Sequence, residues 1–136
     1  MNIHNANTRD VLGVWDLVAI KAEDKTDTQG PPYQRWIFRK DGVMRHIASN
    51  APITDADMTT NEALPPNTWF KVKDSILDLR YQNPPMKVSM RSFIVDKIFP
   101  EHMRPGDPEV KGDMILAAYR KGPITPDVLW ILRKKK

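Results

Sequence analysis

The sequence predicts an all-β fold, a single eight-stranded antiparallel up-and-down β-barrel, and three observations carry that expectation. Asp41-Gly42 and Asp74-Ser75 each separate two runs in which apolar and polar residues alternate, the pattern of tight β-hairpins. Eight such runs follow one another between residues 13 and 133, with no convincing stretch of helical period. Closing a meander of eight strands into a barrel removes the unpaired edges that an open sheet leaves exposed.

The first run is Gly13 to Ile20, with Trp15, Leu17 and Ala19 on one face and Val14, Val18 and Ile20 around Asp16 on the other. A polar stretch ending Gly30-Pro31-Pro32 then reads as a loop. In the hairpin from Tyr33 to Ser49, a two-residue loop would put Arg45 on the face of Trp36 and Phe38. A three-residue loop, Lys40-Asp41-Gly42 with Gly42 left-handed, instead groups Trp36, Phe38, Met44, His46 and Ala48 on one face and Arg35, Arg39 and Arg45 on the other. The second register is expected, with the first group in the core and the arginines in solvent. Asn50 to Asn67 is a proline-punctuated connection with room for a helical turn or two from Thr54, where Asp55 and Asp57 suit a first turn.

In the next hairpin a two-residue turn at Asp74-Ser75 sets Val72 opposite Leu77, Phe70 opposite Leu79 and Lys71 opposite Asp78, so that apolar meets apolar and opposite charges meet. Trp69 then lies outside, opposite Arg80. The sixth run, from Lys87, points Val88, Met90 and Ser92 inward; Asp96 falls in its apolar part as a candidate buried carboxylate. Residues from Phe99 to Gly112 are proline- and glycine-rich and read as loop, before the last runs at Met114 to Arg120 and Asp127 to Arg133.

With 136 residues the chain suits one domain with a sizeable core, here taken as 1–136 with a flexible segment at 1–11 and a basic tail at 134–136. No cysteine is present, which excludes disulfides and thiolate metal sites. The opening residues lack the apolar core of a signal peptide and no run approaches membrane-spanning length, so a cytoplasmic protein without a membrane partner is expected. Net charge is +4, but Lys134, Lys135 and Lys136 supply three of those charges, leaving a nearly neutral body.

In an up-and-down meander alternate loops share an end. Asp41-Gly42 and Asp74-Ser75 close one end tightly, whereas the loops around Gln29-Gly30-Pro31, Asn50 to Asn67, Asn83-Pro84-Pro85 and Gly122 to Pro126 are mostly long and rim the other. An eight-stranded barrel either fills with side chains or holds one small ligand, so this open mouth is the expected site.

Gly13-Val14-Trp15 at the head of the first strand, Arg133 near the end of the last, Trp36-Ile-Phe-Arg-Lys-Asp-Gly and the Lys73-Asp74…Leu77-Asp-Leu79 pattern together resemble small bacterial lipocalin-like domains. That resemblance implies an arginine, Arg133, lying over Trp15, and binding of a small, largely apolar molecule. The mid-chain Thr-Asp-Tyr motif and the terminal helix of secreted members are missing.

The expected function is therefore non-enzymatic binding of a small hydrophobic or aromatic ligand inside the barrel, lined by Trp36, Phe38, Met44, His46, Tyr81 and Met90. Two alternatives stand: an isomerase, decarboxylase or hydrolase using His46 and Tyr81 as acid–base groups, or a protein-interaction module with a filled barrel. No phosphate loop, nucleophile elbow or zinc-protease motif occurs. His4 and His102 fall in a tail and a loop, so neither a metal nor a cofactor is expected. Basic and aromatic residues interleave at Trp69-Phe70-Lys71-Val72-Lys73, as in some single-strand binders. Phe70 and Val72 are needed inside, however, and the basic residues are dispersed among acids, so no nucleic-acid partner is expected. Finally, the seventh and eighth strands are apolar on both faces, and a homodimer through the outer face of the first, seventh and eighth strands would cover the surplus. The competing cover is the chain's own Ile3 to Val11 or Phe99 to Gly112.

Overall fold

A computed structural model describes residues 1–22, 30–103, 107–119 and 126–135. Its elements are β1 (Asn2–Asn5), α1 (Thr8–Val11), β2 (Gly13–Ala22), β3 (Tyr33–Phe38), β4 (Met44–Ser49), α2 (Asp55–Glu62), β5 (Thr68–Lys73), β6 (Ile76–Tyr81), β7 (Met86–Lys97), a 3₁₀ turn at Pro100–His102, β8 (Met114–Ala118) and β9 (Val128–Lys134). The eight strands read from the sequence are β2 to β9, hydrogen-bonded in the order β4-β3-β2-β9-β8-β7-β6-β5. First and last strands pair, as a closed meander requires. The mouth loops at 23–29 and 120–125 lie outside the described residues.

Closure is nearly complete, and the break falls between β4 and β5. Only the bridge of Val43 with Trp69 and the Phe70 amide donating to the Gly42 carbonyl at 2.9 Å join these strands. Their stagger explains the break: β5 begins at Thr68, level with the foot of β4, so the upper half of β4 has no strand beside it.

Both hairpins hold the expected registers. Trp36 pairs with His46 and Phe38 with Met44 around a three-residue loop whose Gly42 has φ 87°. Val72 pairs with Leu77, Phe70 with Leu79 and Lys71 with Asp78 around Asp74 and Ser75, whose φ values of 53° and 65° are those of a type I′ turn. The inward residues Trp15, Trp36, Phe38, Met44, Leu77, Leu79, Met90, Met114, Leu116, Trp130 and Leu132 form one buried cluster.

Four expectations need correction. Residues 1–11, read as flexible, are built in. β7 is twice as long as β6, which leaves one of its edges unpaired beyond residue 91, and β1 takes that edge by pairing with Phe93 to Lys97. α1 follows, N-capped by Asn7 in a capping box with Asp10, and drops Val11 into the core at the closed end. Asp96, the candidate buried carboxylate, is instead exposed near the end of β7 and bonds the His4 ring at 2.6 Å, because β1 lies beside it.

The cation over Trp15 is Lys134 rather than Arg133. Trp15 pairs with Lys134 in the ladder, so Lys134 shares its face and sets its ammonium 5.4 Å from the ring centroid. Arg133, one residue earlier, points to the opposite side and forks onto Asp113 with two 3.0 Å bonds. The outer face of β3 and β4 is likewise not simply solvent. Arg45 reaches the carbonyls of Asn61 and Leu64 at 2.8 and 3.0 Å, fastening the C-terminal end of α2 there. Arg35 is buried against Asp16.

The apolar surplus behind the homodimer expectation is in large part covered within the chain. Val95, Ile115 and Ile131 form a second cluster on the outer side, with Ile131 fully buried. The segment from 107 to 113 is pinned along this side: the Val95 amide donates to the Asp113 carbonyl, Arg133 holds Asp113 and the Pro108 carbonyl, and Lys21 pairs with Glu109.

Candidate functional site at the barrel mouth

Inward-facing side chains grade from packed to open along the barrel axis. Toward the end closed by α1 and the two tight turns, Trp15, Phe38, Leu77, Met90 and Leu132 are all buried. Toward the other end the same inward phase emerges into solvent: His46 and Ala48 on β4 and Met86 on β7 are exposed, and Tyr81 and Val88 are half-buried. In a filled, closed barrel these positions would be covered.

Of the six residues expected to line the site, Phe38, Met44 and Met90 belong to the packed floor and Trp36 is buried, whereas Tyr81 is half-buried and His46 exposed. The Trp36 ring lies 5.1 Å from that of His46 and 6.4 Å from that of Trp130, centroid to centroid. Trp130, an inward residue of β9, thus joins the aromatic wall, which the alternation of the last strand left undecided between two faces.

The polar centre of this wall is Gln34, a residue that sequence reasoning passed over. It shares the inward phase of Trp36 and Phe38, two and four residues on, and that parity is the signal that could have found it. Its side-chain amide nitrogen donates to the Pro31 carbonyl at 3.1 Å, which turns its oxygen toward the rings. That oxygen bonds His46 Nε2 at 2.9 Å and receives a longer 3.4 Å contact from the Trp36 indole N–H. Gly30, at φ 96°, backs the arrangement, since a Cβ there would come within 3.2 Å of the Gln34 amide nitrogen.

An acceptor at Nε2 fixes the tautomer that this network assigns to His46: the proton sits on Nε2, and Nδ1 is left as an acceptor. Desolvation lowers the His46 pKa from its ordinary 6.5, which favours the neutral ring. His46 nonetheless counts as exposed. Both fit a ring packed on Trp36 with one edge wet. Burial similarly raises the Tyr81 hydroxyl above 10.0, keeping it a neutral phenol. Among the described residues no hydrogen bond joins His46 to Tyr81.

Fold and site together define a nearly closed antiparallel barrel with a packed foot and, at the other end of β3 and β4, the rings of Trp36, Trp130 and His46 around the Gln34 amide. No family model, curated protein or solved structure matches the chain. No helix is long and apolar enough to cross a membrane among the described residues.

Proposed function

We propose that this protein binds, without chemical conversion, a small aromatic or otherwise largely apolar molecule that carries one O–H or N–H donor. The observation that carries the reading is His46, an inward residue exposed at the mouth, whose Nε2 is engaged by Gln34 and whose Nδ1 has no hydrogen-bond partner among the described residues. The Trp36 ring, backed by Trp130, offers apolar surface beside it, and a ligand donor would complete the imidazole's hydrogen bonding. The lipocalin-like resemblance is part of the same proposal. The eight-stranded meander supports it, while the cation over Trp15 is Lys134 in place of the arginine that the resemblance implies.

Calorimetric titration with 2-naphthol and its methyl ether, 2-methoxynaphthalene, tests this. Both fill apolar space, but only the naphthol donates. A neutral hydrogen bond contributes about 0.5–1.5 kcal/mol, so the naphthol is expected to bind about 2- to 12-fold more tightly. His46→Phe should abolish that difference while keeping the ether's affinity. Failure of either compound to bind overturns the proposal.

A further inference from the structure

The basic residues that look dispersed along the sequence converge on one outer face. Because inward and outward positions alternate, the ladders of β5, β6 and β7 bring Lys71, Lys73, Arg80, Lys87 and Arg91 to the outside of three adjacent strands, with Trp69 among them. Across the sheet, Trp69 pairs with Arg80 and Arg80 with Lys87. Over the residues where these three strands pair, Asp78 is the single carboxylate on that face, and it is taken up by Lys87 and the Ser89 hydroxyl. Five cations against one carboxylate amount to the net charge of the whole chain, +4. Lysines on an edge strand guard against unwanted pairing, which accounts for Lys71 and Lys73 on β5, but Arg80, Lys87 and Arg91 lie on inner strands where no edge needs guarding.

Trp69 is 36% exposed and stands at a shallow cleft of about 140 Å³ lined also by Lys71, Asp78, Arg80 and Lys87. A flat ring flanked by cations on an open sheet is what a planar group joined to phosphates requires: the ring stacks and the ammonium and guanidinium groups meet the backbone. The shallow, one-sided surface suits unpaired bases, which expose a face to stack, better than a duplex, whose bases are hidden. We infer that the outer face of β5, β6 and β7 binds single-stranded nucleic acid without sequence preference, stacking a base on Trp69 and setting phosphates against Arg80, Lys87 and their neighbours. This surface is independent of the barrel interior and does not rest on the ligand proposal.

The test is fluorescence anisotropy of a labelled oligothymidylate of about twelve nucleotides, titrated with the full chain at several salt concentrations. With about four phosphates neutralised, the logarithm of affinity should fall against the logarithm of salt with a slope of about −3. Arg80→Gln with Lys87→Gln should flatten that slope by about 1.4. Trp69→Ala should weaken binding roughly tenfold and Trp69→Phe should restore most of it, as stacking requires. All of these side chains are exposed, and circular dichroism verifies that each variant folds. Replacing Lys135 and Lys136 with glutamine should leave affinity within about twofold. Four outcomes overturn the inference: no binding at low salt, equal binding of duplex, competition by polyglutamate as strong as by the oligonucleotide, or loss of binding on replacing the terminal lysines.

Discussion

Individual side chains carry much of the fold, and Trp15 shows how. It is 1% exposed, its indole N–H donates to the Val11 carbonyl at 2.8 Å, and Lys134 lies over its ring. Trp15→Ala is therefore expected to cost about 3–5 kcal/mol, against less than about 1 kcal/mol for the outward Trp69→Ala. Urea denaturation checks this, and equal losses would contradict the assignment of inside and outside. The His4 ring, lying between Asp96 and Asp10 at 2.6 and 3.2 Å, has its pKa raised, by the Asp96 hydrogen bond first. A raised value means that the folded protein holds the proton more tightly than the unfolded chain. The stabilisation is thus fully present below pH 6.5 and is lost as pH rises through the folded-state value. His4→Gln should accordingly destabilise the protein at pH 5.5 and have less effect at pH 8.5, as thermal melts of both proteins at the two pH values would show. None of this was legible in the sequence, because His4 meets Asp96 only once β1 has found its place beside β7. What could be read at this level was parity: the inward phase of Trp36, Phe38, Met44 and His46 followed from the hairpin loop alone.

Secondary-structure elements divide between those specified locally and those that tertiary pairing creates. The β5–β6 hairpin is local, since its turn and its cross-strand pairs agree on one register. Its left-handed Ser75 is a residue without glycine's freedom at φ 65°, so Ser75→Gly is expected to stabilise the fold by about 0.5–1 kcal/mol, the relief of left-handed strain less glycine's greater chain entropy. A lower urea midpoint for that variant would show that the turn is not strained. α2 is intermediate. Thr54, Asp55 and Asp57 announced its start, and Thr54 and Asp57 do form a capping box. Its docking was hidden, because Asp55–Glu62 has no apolar stripe and is fastened instead by Arg45 from a distant strand. Arg45→Met should loosen that end: faster amide exchange over residues 58–64, with β5 and β6 unaffected, is the expected signature. β1 was illegible for a plainer reason. Asn2–Asn5 has one large apolar residue, Ile3, and forms a strand because β7 offers it a free edge.

For the whole molecule, the covering of the β8 and β9 outer face by residues 107–113 has a consequence for assembly. With Ile115, Ala117 and Ile131 buried within one chain, the strongest reason for self-association is removed, and sedimentation equilibrium at micromolar concentration is expected to return the monomer mass of 15.7 kDa. Twice that mass would restore a two-fold interface. Barrel topology was readable in advance because eight alternating runs and two tight turns constrain the order of strands. The break between β4 and β5 was not, since it depends on how far the chain from 50 to 67 carries β5 before it rejoins the sheet. That break leaves β4 without a neighbouring strand beside His46, and the functional account depends on the state of this one ring. The most direct measurement is a long-range ¹H–¹⁵N correlation spectrum of the imidazoles at pH 7.5, recorded with and without 2-naphthol. The account predicts that His46 is neutral with its proton on Nε2, and that its Nδ1 resonance moves when 2-naphthol is added but stays in place with 2-methoxynaphthalene. A His46 protonated on Nδ1, or an Nδ1 resonance indifferent to both compounds, would contradict it.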